Sequence, residues 1–120
     1  MISFELIGLP ETYNKMNRKH WGYKSNHNKK WQMLVEQVLF FKKLIPPKPY
    51  AKARVLYVRY SSVEPDYDGL VSSFKIIQDS LVRCGVVEND RQSNLQAKYE
   101  WRKIGQGHGK IVVNLEEIPS

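Results

Sequence analysis

Asp66 and Asp68 stand one residue apart in EPDYDGLVSSFK, a third aspartate follows in VVENDRQ as Asp90, and Lys75 lies between them. If the D-x-D stretch is extended, alternate side chains share a face, so Asp66 and Asp68 point the same way. Two carboxylates held together repel unless a cation neutralises them. Mg²⁺ takes oxygen ligands and completes its shell with water and substrate phosphate, so such a pair suits phosphodiester chemistry. A D-x-D pair is also what a helix cap or a turn uses, and either aspartate is placed to cap the apolar run that follows. Lys75 comes seven residues after Asp68, two helical turns on, and helical side chains lean toward the N-terminus. Its ammonium is therefore either near the aspartates or simply solvated.

The acids sit in a basic chain. Its 120 residues carry a formal charge of +7, unevenly placed. Residues 1 to 59 hold twelve Lys and Arg against Glu5, Glu11 and Glu36, a surplus of +9, while the remainder carries −2. Between Glu11 and Glu36 there is no acid, and Lys15, Arg18, Lys19, Lys24, Lys29 and Lys30 are interleaved with Tyr13, Trp21, Tyr23 and Trp31. Basic side chains neutralise phosphates and release counterions, which makes this half the expected polyanion contact. The aromatics can stack on bases, but each taken singly is expected to pack in the core.

The elements that must position these residues follow from periodicity. ISFELIG alternates and reads as a strand. Residues 11 to about 28 show no clean period and read as a long basic loop. From Lys29, the spacing of Trp31, Leu34, Val35, Val38 and Leu39 predicts an amphipathic helix stopped by PPKP. ARVLYVRY reads as a central strand. Leu70, Phe74, Ile77 and Leu81 predict a second helix, with Gly85 to end it. LQAKYEW alternates, GQGHG supplies turn glycines, and KIVVNLEE is expected to pair back on LQAKYEW as a hairpin. The expectation is a single small α/β (α+β) domain over residues 1–120, with a mixed sheet and two helices in the order β-α-β-α-β-β.

Asp66-Tyr67-Asp68-Gly69-Leu70, the helix with FK and DSL, Gly85 and VVENDRQ together resemble the core of the RusA family of Holliday junction resolvases. LPETYNKMNRKH is similar to that family's segment of Pro, Asn and Arg after its first strand. The resemblance implies a homodimer that cuts four-way DNA junctions by paired symmetric nicks, using Mg²⁺ or Mn²⁺. Asp66, Asp68 and Asp90 match the three essential acids, which the resemblance makes metal ligands, and Lys75 is the matching lysine. Lys15, Asn17, Arg18, Lys19, Lys24, Lys29 and Lys30 would hold the junction arms. Two positions depart from the pattern: Gly69 stands where the family often has Asn, and Lys75 lies one turn further from the second aspartate than is common.

Geometry raises a question about Asp90. A helix from Leu70 to Cys84 is about 22 Å long, and the six residues to Asp90 span at most roughly 20 Å. Either the helix is shorter than its pattern, or Asp90 serves the other subunit of a dimer. The remaining classes are weaker. His20, His27, His108 and Cys84 match no zinc spacing, Cys84 reads as packing and His108 as a turn residue. No apolar run is long enough for a membrane span and MISFELIGLP lacks a signal-peptide layout, so a cytoplasmic protein is expected. The alternatives are a non-catalytic branched-DNA-binding module with the same fold and an RNA-binding protein that stacks bases on its Trp and Tyr residues.

Overall fold

Alternation decides the strands. In the computed structural model, which describes residues 1–12, 21–105 and 107–119, β1 (Ile2–Ile7) buries every second residue. β2 (Ala53–Ser61), β3 (Leu95–Lys103) and β4 (Lys110–Glu117) complete one four-stranded sheet in the order β1-β4-β2-β3. β4 runs antiparallel to both β1 and β2, whereas β3 runs parallel to β2. The mixed sheet and the element order are those read from the sequence. The β3–β4 hairpin is not: β2 lies between the two strands, so β4 pairs with β2 and not with β3. Parallel pairing of β2 with β3 is what a helical crossover between them permits, and it leaves β4 free to fill the centre.

Among the described residues three helices pack on the sheet. α1 (Trp21–Phe41) starts about eight residues earlier than its apolar spacing predicts. Only Trp31, Val35 and Leu39 are buried in it, so its first ten residues are a polar helical extension that carries no amphipathic signal. Residues 21–28, expected as loop, are therefore helix; Trp21 there is 76% exposed rather than in the core.

The second predicted helix is broken in two, α2 (Tyr67–Ser73) and α3 (Lys75–Arg83), on either side of Phe74. The cause is local. The hydroxyls of Ser72 and Ser73 bond back to the carbonyls of Gly69 and Leu70, and the Phe74 amide takes the i−3 carbonyl of Val71, tightening the turn. Leu70, Phe74, Ile77 and Leu81 still point to one core, with Phe4, Val55, Ile111 and Val113. Tyr57 stacks between Phe74 and Tyr99, with ring centroids at 4.8 and 5.3 Å. Gly85 ends the segment at φ +80, a left-handed position that favours glycine.

Candidate functional site

The D-x-D pair lies where the loop after β2 becomes α2. Asp66 is the N-cap: its backbone is extended, and its Oδ1 accepts the Gly69 amide at 2.9 Å. Asp68 is already in the first turn. The alternate-residue geometry of an extended D-x-D is thus replaced by a cap followed by a helical residue, and both carboxylates are exposed. Acids at this end of a helix are favoured by the unsatisfied amides there. Gly69 leaves room for this cap, since a Cβ on it would stand 2.5 Å from Asp66 Oδ1 and 3.3 Å from Thr12 Cγ2. An asparagine here would displace the Asp66 carboxylate.

Lys75 and Asp90 are brought together within one chain. Lys75 Nζ lies 3.1 Å from Asp79 and 3.3 Å from Asp90. Because the helix breaks at Phe74, the chain after Gly85 returns along α3 alone, about 13 Å for nine residues, and this brings Asp90 to Lys75 at the start of α3. The Lys75 hydrogen bond holds Asp90 below the usual carboxylate range, and hydrogen bonding to Asp79 and then Asp90 pushes the Lys75 ammonium upward. Gln78, one helical turn on from Lys75, accepts the buried Tyr57 hydroxyl at 3.0 Å.

The polar half of α1 faces this cluster. Asn28 and Lys24 continue the stripe of Trp31, Val35 and Leu39 one and two turns beyond the core. They line a groove of about 410 Å³ shared with Lys75 and Asp79. His27, in the same wall, accepts the Glu11 backbone amide on Nε2, so its Nδ1 carries the proton and donates to Asn28 Oδ1. Lys29 and Lys30 are exposed on the outer side of α1, with Lys30 Nζ 5.8 Å from the Trp31 ring. Lys15, Asn17, Arg18 and Lys19 lie outside the described residues, as do Tyr13 and His20.

Among the described residues no group of three or more His, Cys, Asp or Glu side chains is placed to hold a metal ion. Asp66 and Asp68 stand as a pair, and Asp90 stands with Lys75. A pair nevertheless fits Mg²⁺ in kind, since that ion usually takes one or two carboxylates and keeps the rest of its shell for water and phosphate. Cys84 is half-buried and burial pushes its thiol up, as a packing residue would have it.

Sequence reasoning passed over Arg59. It is 9% exposed, the one charged side chain among the buried described residues, and lies on the helix-facing side of β2 in register with Ile111 and Trp101. The signal was available: in ARVLYVRY it shares parity with Ala53, Val55 and Tyr57, the inward positions. Compared with known proteins, the chain matches no family model, and no curated protein matches it either.

Proposed function

We propose that this protein is a metal-dependent, structure-selective endonuclease that cuts four-way DNA junctions as a homodimer. The observation that carries the reading is the exposed Asp66–Asp68 pair at the start of α2 in a chain whose first 59 residues hold a surplus of +9. Asp66 and Asp68 would hold Mg²⁺ or Mn²⁺, with Asp90 as the third acid that the RusA resemblance implies. Once bound, the ion supplies charge neutralisation at the phosphate and a lowered pKa for the attacking water.

The side chains divide the remaining work. One Asp66 oxygen is committed to the Gly69 amide, so the cap fixes the carboxylate and the other oxygen is the one offered to the ion. Asp79 and Asp90 hold the Lys75 ammonium in a fixed place, protonated well above neutral pH, as a positive group for phosphate oxygens. Lys24, Lys29 and Lys30 on α1, with Lys15, Asn17, Arg18 and Lys19 before it, would contact the junction arms. Two-fold symmetry suits the substrate, because paired nicks in opposite strands require two matched sites.

A non-catalytic branched-DNA-binding module is the second reading, and the Lys75–Asp90 ion pair favours it, since each group already satisfies the other. Incubating the protein with a labelled four-way junction, a duplex and single strands, with and without Mg²⁺, separates the two. Metal-dependent paired nicks in the junction alone, lost in Asp68→Asn while binding persists, are expected of the nuclease. Tight junction binding without nicks in Mg²⁺ or Mn²⁺ would establish the module instead, and a preference for single-stranded RNA would overturn both.

A further inference from the structure

The second half of α1 is apolar on two sides. Trp31, Val35 and Leu39 face the core, while Met33, Gln37, Phe40 and Phe41, spaced i, i+4, i+7 and i+8, form an exposed stripe on the opposite side. Phe40 is 74% and Phe41 78% exposed, with ring centroids 6.2 Å apart. With Ile45 and Cys84 they line a groove of about 460 Å³ whose polar members are Glu36 and Gln37. Exposed apolar side chains standing singly are ordinary, but a contiguous patch rimmed by polar groups marks a contact surface. The two phenylalanines offer on the order of 300 Å² of apolar surface, and the exposed Met33 and Ile45 add to it. A standard interface takes about 800 Å² from each partner, a little over half of it apolar. The patch is thus the size of one interface core.

Charge and symmetry decide what covers it. A polyanion is not what the groove fits, because the charged residue lining it is Glu36, already held by Arg83 at 2.7 Å. We propose that this face of α1 is the contact between two copies of the chain, packed antiparallel about a two-fold axis at Gln37. On such an axis a residue meets its own copy, so the central residue must be self-complementary. Gln37 is: its amide both donates and accepts. Four residues to either side, Met33 of one copy then lies opposite Phe41 of the other, sulfur against ring. Lys29 and Lys30, one turn before Met33, fall at the rim. The groove that Lys24 and Asn28 share with Lys75 starts about 14 Å along the helix from Gln37 and stays open to DNA. This deepens the proposed function by giving its homodimer a contact surface, and rests on that reading only for the expectation of two-fold symmetry.

Sedimentation equilibrium on the full chain at low and high salt tests the surface. Wild-type protein is expected to be a dimer that tightens as salt rises, because Lys29, Lys30, Lys42 and Lys43 flank the stripe and repel their copies. Phe40→Ser and Phe41→Ser should each weaken association by roughly tenfold or more, as anchors at the centre of an interface do. Gln37→Glu and Gln37→Lys each place like charges on the axis and should be monomeric, and an equimolar mixture of the two should re-form the dimer. That recovery requires residue 37 to meet its own position. Circular dichroism monitors folding, and the substituted residues are all exposed, so the core is left intact. A monomeric wild type, which would leave the patch to a different partner, overturns the inference, as does a dimer that survives every variant or a mixture that does not recover. Junction assays on the same proteins keep the two claims apart: a dimer that survives every variant and cuts sinks this surface and leaves the nuclease, whereas a dimer broken and restored as expected that does not cut does the reverse.

Discussion

At Asp66 one carboxylate caps a helix and, on the proposed reading, also holds the metal, and the two roles can be separated by substitution. Asparagine caps a helix about as well as aspartate but carries no charge, whereas alanine does neither. Asp66→Asn should therefore keep the wild-type melting temperature and lose metal-dependent cutting. Asp66→Ala should lose cutting and also about 0.5–2 kcal/mol of stability, read from denaturant unfolding. Wild-type cutting by Asp66→Asn would reduce the residue to a cap. At Asp90 the test is pH. Its carboxyl is held below the usual range by Lys75, so its contribution to stability is present above the ordinary carboxylate pKa and is lost as pH falls through the lower, folded value. The pair is largely solvated, with Lys75 64% and Asp90 36% exposed, which limits the effect to about 0.2–1 kcal/mol. An NMR titration should find Asp90 below the usual range in wild type and shifted upward in Lys75→Met; an unchanged value would mean that Lys75 is not its partner in solution.

The helices show which elements a sequence can announce. The second half of α1 buries Trp31, Val35 and Leu39, and this spacing predicts it; the first half buries no apolar side chain and is invisible to the same reasoning. That difference should persist in dynamics, because local opening is easiest where few apolar contacts are broken. Hydrogen exchange is expected to be faster over residues 21–29 than over 32–41, and equal protection along α1 would show that polar contacts alone hold the first half. The break at Phe74 was hidden for a related reason. Leu70, Phe74, Ile77 and Leu81 keep one helical face through it, while the back-bonding hydroxyls of Ser72 and Ser73 leave no trace in hydrophobic spacing. Strand identity was legible from alternation, but the neighbour of β4 was not. KIVVNLEE has two flanking partners of suitable pattern nearby, and only the parallel crossover from β2 to β3 places β2 beside it. For the site, residue types and spacing singled out the aspartates as candidates, yet neither the Lys75–Asp90 pair nor the burial of Arg59 could be read without the packing of the helices on the sheet.

Over the whole molecule the governing quantity is how charge is divided. Residues 1 to 59 carry +9 and the rest −2, so on the proposed reading the first half of the sequence supplies the polyanion contact and the second half the aspartates. Six of the cations, Lys15, Arg18, Lys19, Lys24, Lys29 and Lys30, lie before or on α1. If all six neutralise phosphates, the logarithm of the junction-binding constant should fall with the logarithm of salt at a slope of about −5, since each contact contributes roughly −0.9. Binding is best measured in Ca²⁺ held constant, so that cutting does not intrude. Lys29 and Lys30 are exposed on the outer side of the helix and can be changed without disturbing the core. Lys29→Gln and Lys30→Gln should each reduce the slope by about 1 and weaken binding to every junction sequence alike, because phosphate contacts carry no base information. If the lysine variants changed sequence preference and left the slope as it was, these lysines would be reading bases rather than neutralising phosphates.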